Sequence, residues 1–476
     1  MIRLLLLSIL LSTITNWSVG QEENTDFDAK RLGIYDEDLL PASFHAERRQ
    51  ALRDKMPDGS VAVLFAAPLK TRSNDILYQY HQNPDFYYFS GLKEPHAMLL
   101  VFKEEYYFDT LRTNEILFIQ ESNPDLEKWE GRHLGTEGAS KLLKIETIQS
   151  NETFDRFKFP SSLRHIYFSY PPEDVISREE EIDLKFLIDR FIEKVNKVPE
   201  KGDYKKLDDW ISELREIKTA AEIEMLRKAI QITCDAHNEV MKLMTPGIKE
   251  YQVQAAAEFM FAKEGAQYPG FPTIVGSGEN SCILHYSTNR KTIHEDDMVV
   301  VDMGAEYHGY TADITRTLPA NGTFSEEQAA IYNLVLEAQE KAIEASRAGE
   351  KFKHSHQITF DVIAAGLKKL GVIETERDAF QYFFHGTSHY LGLDVHDVGQ
   401  YQRLKPGNVI TIEPGIYISE NSPCDPKWWN IGIRIEDNVL ITEEEPEVLS
   451  SCTPKTIVEI EMLMEEESSL IRYINN

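Results

Sequence analysis

Between residues 37 and about 205, short apolar runs alternate with polar or helical stretches. The runs at 61–65, 97–102, 115–119 and 165–168 are rich in Val, Ile, Leu and Phe and read as buried strands. Helical patterns at 44–55 and 182–197 fall between or after them, which predicts an α/β domain. A charged segment, 201–206, is the candidate boundary, placing a second domain at 206–476. That half opens on a helix. Thr219 and Glu222 form a capping box, and Ile223, Leu226, Ala229, Ile230 and Cys234 follow at helical spacing until Thr245-Pro246-Gly247. Further helices are predicted at 251–263, at 326–348 (Ser325 with Gln328 at its start, Gly349 at its end) and at about 356–370. Strands are predicted at 298–301, 409–412, 431–435 and 439–441. Helices and strands mix without regular βαβ alternation, so the second domain reads as α+β.

The first twenty residues stand outside this pattern. Arg3 precedes an apolar run at 4–11 broken only by Ser8, and Ser18-Val19-Gly20 offers the small residues a signal peptidase reads. The run is too short to span a bilayer. Residues 1–20 are therefore expected to be a cleaved leader and 21–36 a polar tether, giving an exported protein, periplasmic or secreted. No later stretch is apolar for about 18 residues, so no membrane association is expected after cleavage. With 42% hydrophobic residues the 476-residue chain can bury sizeable cores. A formal charge of −29 excludes nucleic acid and anionic membrane as partners and suits a collector of divalent cations. Four cysteines, Cys234, Cys282, Cys424 and Cys452, form neither a disulfide framework nor a CxxC metal motif. Export permits one or two bridges; buried free thiols fit equally well.

Chemistry concentrates where apolar strands end in acid. Asp302 closes Met298-Val299-Val300-Val301, and Asp313 follows eleven residues on, after a turn at His308-Gly309. Glu413 closes the 409–412 run before Pro414-Gly415, and Glu436 closes the 431–435 run. Carboxylates beside Val and Ile are costly unless something positive neutralises them. Strand alternation sets Arg434 and Glu436 on one face. The segment 384–397 adds His385, His389 and His396, and Gly386 and Gly392 make it a loop or irregular strand and not a helix. Asp394 and Asp397 flank His396, either to orient its imidazole or as surface residues. Four carboxylates balance two divalent metals, with neutral His389 as a fifth ligand. An oxygen-rich set with one imidazole suits Mn²⁺, Co²⁺ or Zn²⁺. Two such ions about 3.5–4 Å apart can hold a bridging hydroxide and polarise a carbonyl, as in two-metal hydrolases.

At these residues the sequence resembles the aminopeptidase P and prolidase family of pita-bread-fold metallopeptidases, over nearly the whole chain beyond the leader. The resemblance implies an α+β pita-bread catalytic domain preceded by an α/β N-terminal domain. It implies Asp302, Asp313, His389 (in His385-Gly386-Thr387-Ser388-His389), Glu413 (in Ile412-Glu413-Pro414-Gly415) and Glu436 as ligands of two metals, manganese first, with zinc or cobalt as alternatives. The 273–286 segment matches the stretch carrying a catalytic-pocket histidine, here His285. His396 matches a histidine that stabilises the reacting carbonyl, and His385 and Arg434 match substrate-pocket positions. Glu413 is then the general base. The first domain resembles the family through residues 82–92 and 129–135. Tyr87 stands where relatives carry Trp in a loop reaching a neighbouring subunit's site, and Phe271 where relatives can have Tyr. The implied activity is that of an Xaa-Pro aminopeptidase acting on proline-containing peptides, assembled as a homodimer or homotetramer. A prolidase shares the same ligands, and a non-catalytic peptide-binding module on this fold is the reading from another class.

Overall fold

The computed structural model describes residues 33–108, 110–176, 182–196 and 204–470, so the expected leader and most of the tether lie outside the described residues. The first domain is built on a five-stranded sheet. Its order is Ile148–Ser150, Leu111–Ile119, Met98–Phe108, Ser60–Phe65 and His165–Phe168, antiparallel at the centre with a parallel strand at each edge. Val61, Val63 and Phe65 point into a core with Leu187 and Phe191 of the helix Leu184–Val195. Ala62 and Leu64 point the other way, into the core that holds Phe44 and Leu52 of the helix Ala42–Lys55. Both faces are covered, which is why the 61–65 run is continuously apolar and not alternating.

One residue in these runs is acidic. Glu115 is buried on its strand and accepts hydrogen bonds from Nε of Arg49 at 2.9 Å and from Arg53. Burial alone raises the Glu115 carboxyl, but the two guanidinium groups outweigh it and hold the group below the usual carboxylate range. A depressed carboxylate stabilises the fold above its unfolded value, about 4.3 for Glu, and that stability is lost as pH falls through the folded value. Thermal melts across the acid range should show this loss, and Glu115→Ala should cost about 3–5 kcal/mol by stranding two buried cations. A melting temperature unchanged by the substitution would remove Glu115 from the account of this domain's stability.

The helix Tyr204–Arg215 begins two residues before the expected boundary. Trp210 meets Tyr167 of the first sheet edge-on at 4.8 Å, so this helix packs with the first domain. The second domain follows as α+β. The strands Ile274–Ser277, Met298–Met303 and Ile314–Pro319 form one antiparallel sheet, with Met298–Met303 at its centre. Val409–Ile412 pairs with Asp437–Leu440, and Gly415–Ile418 with Ile431–Arg434. The helices Ala220–Leu243, Glu250–Lys263, Glu326–Ala345 and His354–Lys369 complete it, the first and third opened by the capping boxes read from sequence. The third ends at Ala345, short of the expected residue 348, because Ser346 turns out of the helix and its hydroxyl donates to the Ala342 carbonyl. Among the described residues no helix is long and apolar enough to cross a membrane. Cys234 and Cys452, 218 residues apart, form a disulfide, and Cys282 and Cys424 are free.

Candidate active site

The eleven-residue gap between Asp302 and Asp313 has a mechanical origin. The strands Met298–Met303 and Ile314–Pro319 pair in the register Met303↔Ile314, and the residues between them leave as a small hairpin, Ala305–Tyr307 with Tyr310–Thr311. Its two-residue turn has positive φ at His308 (52°) and Gly309 (94°), the geometry that matches strand twist in tight hairpins. The chain therefore comes back where it left, and both carboxylates sit at the hairpin's base. The irregular segment around His389 lies beside the strand Val409–Ile412. The Thr411 amide donates to the His389 carbonyl at 2.9 Å, and the Glu413 amide to the Thr387 carbonyl at 2.8 Å. These ties bring His389 Nε2 to 3.4 Å from Asp313 and 3.5 Å from Glu413. Glu436 is placed by Arg316, which donates to its carbonyl at 2.6 Å, and by Thr315, whose hydroxyl donates to its carboxylate at 2.7 Å.

Four carboxylates thus share one buried cleft, and their charges are not balanced by the protein. Burial, then the neighbouring Asp302 and Glu413, drives the Asp313 carboxyl well above the usual range. Burial and Asp313 do the same to Glu436, and burial raises Glu413. Arg434 is the cation in contact: it donates to Asp302 at 2.6 Å, to the Tyr417 hydroxyl at 3.0 Å and to Thr315 at 3.1 Å. Asp302 Oδ1 and Asp313 Oδ1 are buried without any hydrogen-bond partner. Most buried oxygens in folded proteins are paired, so two unpaired carboxylate oxygens in one acidic cleft offer lone pairs to a cation. The His389 Nδ1–H donates to the Tyr390 carbonyl at 2.9 Å, which leaves the Nε2 lone pair facing the acids, the tautomer of an imidazole that ligates a metal. Asp313, His389 and Glu436 each present an atom within 4.8 Å of the others. The donor set fits a divalent cation.

His285, His385, His396, Asp302, Glu413 and Arg434 line the same cleft of about 660 Å³, with Phe271, Pro272, Ile274 and Leu284 as its apolar wall. The His396 ring lies 4.4 Å from that of His389, edge to face. Burial, then Arg434, lowers His385 to about 3, so it is neutral; its Nδ1–H donates to the Gly386 carbonyl and its Nε2 accepts from the Tyr417 hydroxyl at 2.9 Å. Tyr87 stands elsewhere. It lies on a helix, Pro84–Ser90, capped by Asn83, which turns the ring inward against His45 at 5.4 Å; it lines a separate cavity of about 200 Å³ with Tyr268 and Leu393. Asp394 and Asp397 turn from His396 to Arg215. Thr315 and Tyr417 were not singled out from the sequence. Thr315 lies two residues beyond Asp313, hence on the same strand face, and that is the one signal that could have found it.

A cleft of this composition on this fold defines a metallopeptidase. The chain belongs to metallopeptidase family M24, whose model matches residues 224–443, and carries an aminopeptidase P N-terminal domain matched over 45–164. The Xaa-Pro aminopeptidase of Escherichia coli is 38% identical over 443 residues, covering 88% of this chain and 96% of that protein. The structure of E. coli aminopeptidase P with the inhibitor Pro-Leu superposes with a TM-score of 0.81 at 35% identity, covering 90% of this chain and 98% of the other. Zinc-substituted E. coli aminopeptidase P in complex with product gives a TM-score of 0.80 at the same coverage.

Proposed function

We propose that this chain is an Xaa-Pro aminopeptidase, a metal-dependent hydrolase that releases the N-terminal residue from peptides with proline in second position. The observation that carries this reading is the convergence of Asp302, Asp313, His389, Glu413 and Glu436 with His285 and His396 in one cleft, in a chain so similar to E. coli aminopeptidase P. Two divalent ions are proposed, held by Asp302, Asp313, His389, Glu413 and Glu436, with manganese first. When bound, they would supply Lewis acidity and a water made nucleophilic near neutral pH. Glu413, already raised by burial, is suited to take the proton of the attacking water. His396 and His285 donate hydrogen bonds to the oxyanion that develops on the scissile carbonyl. His385 and Arg434 shape the pocket for the substrate; Arg434 reaches it from its bond to Asp302, and His385 through Tyr417.

The test is a comparison of substrates on protein freed of metal and reloaded. An Xaa-Pro-Yaa tripeptide should be cleaved in preference to an Xaa-Pro dipeptide, with manganese restoring the higher rate. The reverse preference would make the chain a prolidase. A folded protein that binds no metal would revive the binding-module reading. Export is proposed from the leader, and the Cys234–Cys452 bridge supports it, since disulfides persist in oxidising compartments. Intact mass of protein from its native compartment should begin after about residue 20, and retention of Met1 would refute export. A homodimer or homotetramer is proposed as the assembly, with Trp129, 88% exposed, as the kind of side chain an interface would cover.

A further inference from the structure

His396 is carried by a segment that is neither helix nor strand, so its aim has to be fixed by tertiary contacts. The backbone ties of the segment include the bridge Tyr390↔Asp397, a bond from the Gly392 amide to the Asp394 carbonyl at 3.1 Å and one from the Thr311 amide to the Gly392 carbonyl at 2.9 Å, and all of these stop short of the His396 side chain. The residues on either side of it supply the answer. Asp394 and Asp397 both accept from Nη2 of Arg215, at 2.9 and 2.5 Å, and Asp397 also accepts from Nζ of Lys218 at 2.9 Å. The side chains of Arg215, Lys218 and Asp397 are 1–2% exposed. A side chain at Gly392 would meet the Asp397 carboxylate at 2.1 Å, so the close approach of that acid requires glycine there. The third contact of Arg215 is within the first domain: Nη1 donates to Asp85 at 2.6 Å, on the helix Pro84–Ser90. Next to it, the Tyr88 hydroxyl of the same helix donates to the Leu214 carbonyl at 3.2 Å.

We infer that Arg215 is a positioning residue for His396, and that it ties the aim of this imidazole to the seating of the N-terminal domain. One planar guanidinium holds the two acids that bracket His396 and an acid of the first domain at once. Three fixed directions are what a guanidinium offers and an ammonium does not. The inference rests on the reading of His396 as an oxyanion donor.

The experiment is a double-mutant cycle on the metal-loaded full chain, with kcat, KM, metal content and melting temperature read for each variant. Arg215→Lys should lower kcat by about tenfold, less than the roughly 10²–10³ that outright loss of an oxyanion donor costs, with metal content and KM held. In a His396→Ala background the same substitution should have no further effect on kcat, because the group it positions is gone. If the two losses multiply, or if Arg215→Lys keeps full kcat, the inference is overturned. Should Arg215→Lys fail to fold, Asp85→Asn carries the test: it severs only the arm to the first domain, and its fall in kcat should likewise vanish in the His396→Ala background. A fall that persists there, or none at all, overturns the inference. Full kcat in His396→Ala alone would overturn the underlying reading of His396, and is distinguishable because it is seen before any change at Arg215.

Discussion

Asp313→Ala is expected to abolish peptide hydrolysis and metal binding together while leaving the metal-free protein at least as stable as before. The acid contributes one of the negative charges crowded into the cleft, and its carboxyl is raised by burial and by Asp302 and Glu413. Removing it relieves that repulsion, so the melting temperature without metal should hold or rise. What disappears is the gain in melting temperature on adding manganese, since only the native state has the site. Glu413→Ala should behave alike. Asp302→Ala should lose metal too but also destabilise the fold, because it leaves the buried Arg434 without its carboxylate. Metal analysis, melting with and without manganese, and a peptide assay check all three. A variant at Asp302 or Asp313 that kept two ions and full rate would sink the ligand assignment.

His396→Ala should separate the two functions of the cleft. The imidazole faces the cleft beside His389 and is lowered by its burial and then by His389, so it is neutral at physiological pH and keeps one N–H to donate. Loss of such a donor is worth roughly 2.7–4 kcal/mol, or about 10²–10³ in kcat, and it removes no ligand. Metal content should therefore stay at the native level while the rate falls. His389→Ala is the contrasting case: its Nε2 faces Asp313 and Glu413, and metal and activity should go together. Near-normal kcat in His396→Ala would remove that residue from the mechanism.

Much of this was open to reading in the sequence, for a definite reason. An apolar strand that ends in a carboxylate contradicts its own burial pattern. Three such contradictions, at Asp302, Glu413 and Glu436, point to one compensating charge in space. The helices of the second domain were legible because their caps are local, Thr219 with Glu222 and Ser325 with Gln328. What escaped depends on partners far along the chain. Thr315 and Tyr417 look like ordinary strand residues until Arg434 is seen between them. Glu115 looked like part of an apolar run, and its acid is accommodated by arginines one helical turn apart on a distant helix. Asp397 is 182 residues from Arg215. The resemblance places Tyr87 where relatives carry a loop Trp, whereas Asn83-Pro84 starts a helix there, as an N-cap followed by proline should.

The Cys234–Cys452 bridge fastens more than two distant parts of the chain. Beside it, the Ser450 hydroxyl donates to Asp437 at 2.7 Å, and the carbonyls of Thr453 and Pro454 accept from Arg316. Arg316 in turn holds the backbone of Glu436, and Asn438, whose amide donates to Ser450, grips the peptide groups on both sides of Asp313. Closing a loop of 218 residues removes about 5 kcal/mol of chain entropy from the unfolded state on the simplest arithmetic, and that restraint falls on the segment that braces two of the acids. Reducing the bridge is therefore expected to loosen the brace behind Asp313 and Glu436. Recombinant protein made in a reducing cytosol would carry the right sequence with its brace untied, whereas an oxidising host would deliver the pocket already strapped.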